Sequence, residues 1–446
     1  MWTRYSVVAL VSALLEGWVV AGVIWQSAMR RAFGSARQRG NGTSRRASAP
    51  RSVPEPVGVA MTGTAHGSGP SLPAGPEVGS PEPSGSVPPV EATPRIVVAD
   101  LLVGLLVLGL LWFISVIALI VVARLGVFGM FDMGWFCAVA GLPLAAVVVM
   151  LRARRGRPSK GSPARAMQVS TPARALLLVA ALLVPVAVYA SVIEPDRLDE
   201  DVHLGVQMGP GRAGASPLRV GVISDIQTRH VGPHEVAAVD RLMSLQPDVI
   251  LVAGDVFQSP PDFVAELPAL RDLLRRLQAP GGTYLVQGDT DPPETLELMV
   301  AGTQVRLLRD EIVRTGVRDR EVTIGGLDID VSTPQATRTI EELQNTPGSG
   351  DVRLLLSHRP DSVLRLAPGT RVDLVAAGHT HGGQIAVPGF GPLLTLSAVP
   401  RSVGAGGLHD LDGRRIFVSK GVGLERGQAP QVRFGVVPTV GLVELA

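Results

Sequence analysis

The chain has a single cysteine among its 446 residues, Cys137, so intrachain disulfides and cysteine-based zinc sites are excluded. A Walker loop is missing, as is a Gly-x-Ser-x-Gly nucleophile elbow, and no internal repeat is visible. Net charge is nearly absent too, with 41 Lys+Arg against 39 Asp+Glu leaving +2. The pI of about 9.0 comes from arginines gathered in two stretches. Membrane topology explains that pattern better than nucleic-acid binding, and no nucleic-acid surface is expected.

What the chain has in excess is apolar sequence. Hydrophobic residues make up 46% and the mean hydropathy is above zero, too apolar for one ordinary soluble domain. Four stretches reach the roughly 20 residues that a bilayer requires. They are Tyr5–Met29, interrupted by Glu16, then Leu101–Ala123, Met133–Leu151 and Ala175–Ile193. Pro143 and Pro185 fall inside the last two, which a membrane helix tolerates although a soluble one loses about 3 kcal/mol. A cleavable signal peptide fits the first stretch poorly, because only Arg4 precedes it and no small-x-small site follows.

Arginines Arg30 to Arg51 follow the first stretch, and Arg152 to Arg174 follow the third. Both loops are expected in the cytoplasm, which sends everything after Glu194 to the extracytoplasmic side of a bacterial cell membrane. Gly40–Pro94 is rich in Pro, Gly, Ser and Ala and cannot bury enough apolar surface to offset its chain entropy. The expected organisation is therefore a transmembrane helix over 1–29, a disordered cytoplasmic linker over 30–95 and helices two to four over 96–193. A tether over 194–217 and one folded domain over 218–446 complete it.

That last domain is organised around Leu374–Gln384, an apolar run that breaks at Gly378 into His379 and His381. Histidines one residue apart on extended backbone can each offer a neutral nitrogen to a metal. Two do not close a site, but four upstream runs also end in potential ligands. Arg219–Asp225, Asp248–Asp255, Thr283–Asp289 and Val352–His358 are each apolar and each finish on a carboxylate or imidazole. Strands with ligands at their carboxyl ends describe an α/β sheet whose site lies beyond those ends. Helical patterns at His234–Leu245, Asp262–Gln278, Gln335–Gln344 and Pro360–Leu366 alternate with them, at the roughly 30-residue spacing of strand-helix-strand units. Further strands at Gln304–Arg314, Val322–Ile329, Arg415–Ser419 and Val432–Glu444 suggest a second sheet.

Ser-Asp-Ile-Gln, Ala-Gly-Asp, Gln-Gly-Asp-Thr-Asp, Leu-Ser-His-Arg-Pro-Asp and Gly-His-Thr-His-Gly-Gly-Gln occur here in this order. With them, Leu218–Ala446 resembles the calcineurin-like metallophosphoesterases, in particular the bacterial branch whose membrane helices precede the catalytic domain. The closing stretch Val418-Ser-Lys-Gly-Val-Gly fits as well. The resemblance implies a four-layer α-β-β-α sandwich of the α/β class, preceded here by an all-α bundle of about four transmembrane helices. It also implies two divalent ions, Mn, Fe or Zn. The first would be held by Asp225, Gln227, Asp255 and His381, the second by Asp255, Asp289, His358 and His379. Asp255 would bridge the pair, with a hydroxide between the ions attacking phosphorus, and Asp255 and His379 are the expected catalytic residues.

Three positions depart from the family pattern. Gln227 replaces a histidine with a harder, weaker ligand, although a Gln there also occurs in the ADP-ribose and CDP-alcohol diphosphatase branch. Asp289 replaces an asparagine with a carboxylate that binds dications better. Thr290 stands where the family carries a histidine that assists the leaving oxygen, a loss of about 10² to 10⁴ in rate. His230 or His234 is a candidate substitute. The expected function is thus hydrolysis of a phosphomonoester or phosphodiester, lipid-linked or envelope-derived given the bilayer. The alternative is a catalytically degenerate member serving as a metal-binding or assembly module at the membrane. Asp291 and Asp361 are expected to cap or support, Arg359 and Arg401 to face solvent, and His66, His203 and His409 to be solvated.

Overall fold

The computed structural model describes residues 127–155, 171–208, 216–258, 262–345, 351–425 and 429–446. The first two expected spans, the Gly40–Pro94 linker and His66 lie outside them. Of the described helical residues, 127–147 and 176–193 belong to the same compact unit as the C-terminal domain, while 148–155 and 171–175 belong to another.

Among the described residues no helix is long and apolar enough to cross a membrane, and the third and fourth expected spans are not single unbroken α-helices. The third is divided into helix α1 (Val127–Phe136), a π-turn at Cys137–Gly141 and α2 (Leu142–Arg155). Pro143 has no N–H and its ring crowds the preceding turn, and the chain widens there until Leu142 N–H reaches back to Cys137. The fourth is α3 (Thr171–Val188), an α-helix of 18 residues that gives way to a second π-turn at Tyr189–Ile193.

The domain then builds in order β1 (Asp199–Val206), β2 (Leu218–Ile223), α4 (Pro233–Ser244), β3 (Val249–Val252), α5 (Phe263–Arg275) and β4 (Thr283–Leu285). Next come α6 (Pro293–Val300), β5 (Val305–Leu307), β6 (Glu311–Val317), β7 (Arg320–Gly326), α7 (Pro334–Asn345), β8 (Val352–Leu356) and β9 (Leu374–Ala377). The short hairpin β10 (Ala386–Val387) and β11 (Gly391–Pro392) follows, then α8 (Arg401–Gly404), β12 (Gly407–Leu411), β13 (Arg414–Val418) and β14 (Thr439–Leu445).

Two six-stranded sheets form, ordered β1-β14-β2-β3-β4-β5 and β12-β13-β9-β8-β7-β6. Strands β2 to β5 run parallel, as do β7, β8, β9 and β13, so their carboxyl ends share a direction within each sheet. The period-two alternation of each strand assigns its two faces to different layers. Val249 and Leu251 of β3 pack with Leu354 and Leu356 of β8 between the sheets. Ile250 and Val252 face the other way, onto Leu242 of α4 and Leu270 of α5. Leu355, Val375 and Ala377 of the second sheet meet Ile340 and Leu343 of α7. Helix, sheet, sheet and helix therefore stack as four layers.

Several boundaries differ from expectation. Part of the expected tether is strand β1, whose edge pairs parallel with β14. Gln304–Arg314 is two strands in different sheets, because the turn before Glu311 contains Asp310 at φ +50° and redirects the chain. Pro360–Leu366 is a 3₁₀ segment, Pro360–Arg365. Val432–Glu444 narrows to β14, with Arg433 diverted into a buried hydrogen-bond cluster.

Leu354 is fully buried between the sheets on the strand that leads to His358. Leu354→Ala is expected to cost about 2–5 kcal/mol in urea denaturation, and a loss below about 1 kcal/mol would contradict a packed inner layer.

Candidate metal centre

The site begins where strands stop. β2, β3 and β9 each end two or three residues before a residue with positive φ: Asp225 (+48°), Asp255 (+55°) and His379 (+71°). Gln227 (+39°) and His381 (+48°) share this conformation. A non-glycine residue there costs on the order of 1 kcal/mol or more, and five such turns aim their side chains at one rim. Gly378 allows the close approach, since a Cβ on it would fall 2.5 Å from Asp225 Oδ2. In exchange, both Asp225 oxygens accept the His379 backbone N–H at 3.1 Å.

All seven expected residues meet at this rim. His358 Nε2 lies 3.5 Å from Asp255 Oδ2 and 3.4 Å from Asp289 Oδ2. His379 Nδ1 is 2.7 Å from the same Asp289 oxygen, and its ring packs edge-on to His358. His381 Nε2 is 3.6 Å from Asp225 Oδ1. Gln227 Nε2 donates to Asp255 Oδ2 at 2.9 Å, and Thr290 N–H donates to Asp255 Oδ1 at 2.8 Å. Two donor groups emerge, Asp289 with His358 and His379, and Asp225 with Asp255 and His358, each with its donor atoms within 4.8 Å of one another.

These donors suit metal ions. His358 donates Nδ1–H to the Ala253 carbonyl at 2.7 Å, which fixes its tautomer and leaves Nε2 facing the carboxylates. His358 Nε2 and His381 Nε2 are both buried and lack a hydrogen-bond partner. A buried ring nitrogen among carboxylates is costly unless a proton or a metal cation is held there with them.

The electrostatics show the same tension. Burial lifts the Asp225 carboxyl to about 6, and burial together with Asp255 lifts Asp291 to about 7. Burial opposes charge on His358, but Asp255 and Asp289 outweigh it and hold the imidazole up at about 10. Burial also works against the Asp289 charge, yet His358, His379 and Arg359 keep that carboxyl well below the usual range. Burial and the Arg433 guanidinium push His381 well below the usual imidazole range, which keeps it neutral and able to ligate. Burial likewise lowers Arg433, to about 10.

Asp291 supports the rim, accepting the N–H groups of Val256, Phe257 and Gly288. Asp361 holds Ser397 and Ala398. Arg359, expected to face solvent, instead forks onto both Asp289 oxygens, one of which, Oδ2, also faces His358 and His379. Neither expected substitute for the missing histidine reaches the rim: His230 pairs with Glu266, and His234 Nε2 meets the Val422 carbonyl. Arg401 stacks on Phe390, His203 is half-buried against Asp201, and His409 bonds the Gly406 carbonyl. Two rim residues escaped the sequence reading. Glu425 follows no strand, and its only signal is its place just after the Gly-Val-Gly stretch. Arg433, fully buried, donates to the carbonyls of Gly421 and Gly423, and its Nη2 stands 3.3 Å from His381 Nδ1.

At Gly288 a Cβ would fall 2.1 Å from Asp255 Oδ1 and 2.2 Å from its backbone nitrogen. Gly288→Ala must move Asp255, at about 1–3 kcal/mol of stability. Metal affinity, followed by elemental analysis against free metal, is expected to fall by about 10- to 100-fold. Unchanged metal content in a folded variant would show that Asp255 does not bind it.

Comparison with known proteins falls on this same segment. The calcineurin-like phosphoesterase family profile matches residues 218–383. The chain is 30% identical over 188 residues to Uncharacterized metallophosphoesterase YkuE of Bacillus subtilis (strain 168), covering 41% of this chain and 63% of that protein. It thus spans less than two thirds of that relative. Phosphodiesterase YaeI of Escherichia coli (strain K12) is 29% identical over 243 residues, 52% of this chain and 83% of the relative. Among solved structures, a dimetal phosphatase from Danio rerio aligns with a TM-score of 0.29 at 14% identity, over 46% of this chain and 88% of that one. Residues 218–383, whose strand ends build the rim, thus carry a calcineurin-like phosphoesterase domain match.

Proposed function

We propose that the protein is a membrane-anchored phosphoesterase that hydrolyses a phosphomonoester or phosphodiester at a pair of divalent ions. The observation that carries this reading is the facing of two buried, unpartnered imidazole nitrogens, on His358 and His381, toward Asp225, Asp255 and Asp289. Asp225, Gln227, Asp255 and His381 would hold one ion, and Asp255, Asp289, His358 and His379 the other. The chemistry supplied there when the ions are bound is polarisation of phosphoryl oxygens and activation of a water.

The chain's own residues set the rest. His358 is common to the two donor groups, and Asp255 beside it is steadied by the Thr290 N–H. Arg359 offsets the charge of Asp289, which lowers the barrier to an anionic substrate. His379, the most exposed imidazole of the rim at 14%, borders the cleft, with Nδ1 toward Asp289 and Nε2 donating to the Leu396 carbonyl at 3.2 Å. With Thr290 at the family's histidine position and His230 and His234 engaged elsewhere, leaving groups that need little protonation are favoured. Otherwise the rate falls by about 10² to 10⁴.

A cleft of about 80 Å³ opens beside the rim, with His379, His381 and Glu425 at one end and Ile385, Leu393, Leu394, Leu396 and Phe131 along its walls. Val387, Phe390, Leu393 and Leu396 stand exposed around it, and Leu178, Leu182, Val192 and Ile193 are exposed on the α3 segment. Large apolar side chains left exposed in such number suit contact with lipid or partner surfaces. They support anchoring at a bacterial membrane and a lipid-linked or envelope phosphoester, its phosphate at the rim and its apolar part in the cleft. The arginine-rich loops support an extracytoplasmic domain. A reporter fused after Ala446 is therefore expected to be active only outside the cytoplasm, and cytoplasmic activity would reverse the orientation.

A second reading, a degenerate member acting as a metal-binding or assembly module, is favoured by the Gln227 amide lying between Asp255 and Glu425. One assay separates the two. The full chain in detergent, given Mn, is expected to hydrolyse nitrophenyl phosphate mono- or diesters, and Asp255→Asn to lower the rate on the order of 10²-fold or more. An acylated phosphoester should show a lower KM than its unacylated counterpart. Activity that survives Asp255→Asn, or no activity with any of Mn, Fe or Zn, overturns the enzyme reading.

A further inference from the structure

We propose that Glu425 is a direct ligand of the first metal ion, supplying the donor lost where Gln227 replaces histidine. The inference rests on the two-ion reading above and adds a residue that no strand-end motif contains.

Glu425 reaches the rim from the loop after β13, and its position is fixed from several sides. Its backbone N–H donates to Gln384 Oε1 at 2.6 Å, and its carbonyl accepts from Gln431 Nε2 at 2.7 Å. One carboxylate oxygen, Oε1, accepts from Gln258 Nε2 at 3.4 Å. The other, Oε2, points inward, 4.0 Å from His381 Nε2 and 3.3 Å from Gln227 Nε2. His381 Nε2, on a side chain only 3% exposed and without a hydrogen-bond partner, faces Glu425 on one side and Asp225 Oδ1, at 3.6 Å, on the other. Two ligands of one cation, each about 2.0–2.3 Å from it, lie roughly 2.8–4.5 Å apart. Both separations fall in that range.

The Gln227 amide nitrogen reports the same point. It donates to Asp255 Oδ2 and to Glu425 Oε2 together, so these two carboxylates converge on one small donor. Turning the amide over would present its oxygen to a cation at that place without moving either carboxylate. The first ion's set then becomes Asp225, Asp255, Glu425 and His381 with the Gln227 oxygen. Four oxygen donors to one nitrogen favour a hard ion such as Mn over Zn.

The test uses the full chain in detergent, with Mn as the probe. Bound ions are counted by elemental analysis and affinities followed by the electron paramagnetic resonance signal of free Mn. Wild type is expected to hold two ions. Glu425→Gln keeps the size of the side chain, and Glu425→Ala removes it; circular dichroism in chelator checks that both fold. Each variant should keep one ion and bind the other on the order of 100-fold more weakly. Glu425→His should restore the second ion with a preference shifted toward Zn. If a folded Glu425→Ala chain still binds two Mn ions with unchanged affinity, the assignment fails and the two-ion reading stands. If wild type binds fewer than two, that reading fails and the assignment with it.

Discussion

Everything at the rim depends on keeping buried carboxylates charged. Asp225 and Asp255 are 0% and 2% exposed and share a small space with Asp289 and Asp291. Removing such groups from water costs several kcal/mol each unless cations or hydrogen bonds compensate. Without metal, the compensation is partial and internal: His358 takes up a proton, Asp225 and Asp291 hold theirs to higher pH, and Asp289 leans on Arg359. A bound metal cation would replace this improvised balance. The left-handed turns at Asp225, Gln227, Asp255, His379 and His381 are the conformational counterpart, strain held in place by the sheets behind them.

The two sheets are what make that strain affordable in stability terms. Parallel strands buried on both faces give nearly unbroken Val, Ile and Leu runs, and their shared inner layer fixes the height at which each strand ends. Register is therefore positional information: Ile223 pairs with Val252, and Val252 in turn with Leu285, so the turns leading to Asp225, Asp255 and Asp289 start level. In the second sheet, Leu356 pairs with Ala376, and His358 and His379 follow at matched depth.

That logic is why much of the site was readable from sequence. A run of branched aliphatics followed by Gly-Asp or Ser-His is a local signal, and six of the seven expected residues sit just past such a run; Gln227 is carried by the first of them. The sequence could not announce contacts that come from elsewhere in the fold. Glu425 lies on a loop with no periodicity, and Arg433 reads as a surface cation until its guanidinium is seen satisfying three carbonyls beside His381. Strand β1 was hidden because its residues, Asp-Glu-Asp-Val-His-Leu-Gly-Val, look polar; an edge strand pairs on one side only and needs little apolar character. The π-turns were equally hidden, since hydropathy counts residues and is blind to the hydrogen-bond register that Pro143 disturbs.

One residue joins two parts of the chain that a motif search would separate. The Arg433 backbone N–H donates to the Ala190 carbonyl in the π-turn, Gly435 N–H donates to the buried Glu194 carboxylate, and Tyr189 packs edge-on against Phe434. The same Arg433 side chain stands against His381. A recombinant fragment cut at Leu218 would thus forfeit both an outer strand and the clasp behind a histidine at the rim. The smallest piece able to keep that imidazole in its pose starts upstream of Tyr189.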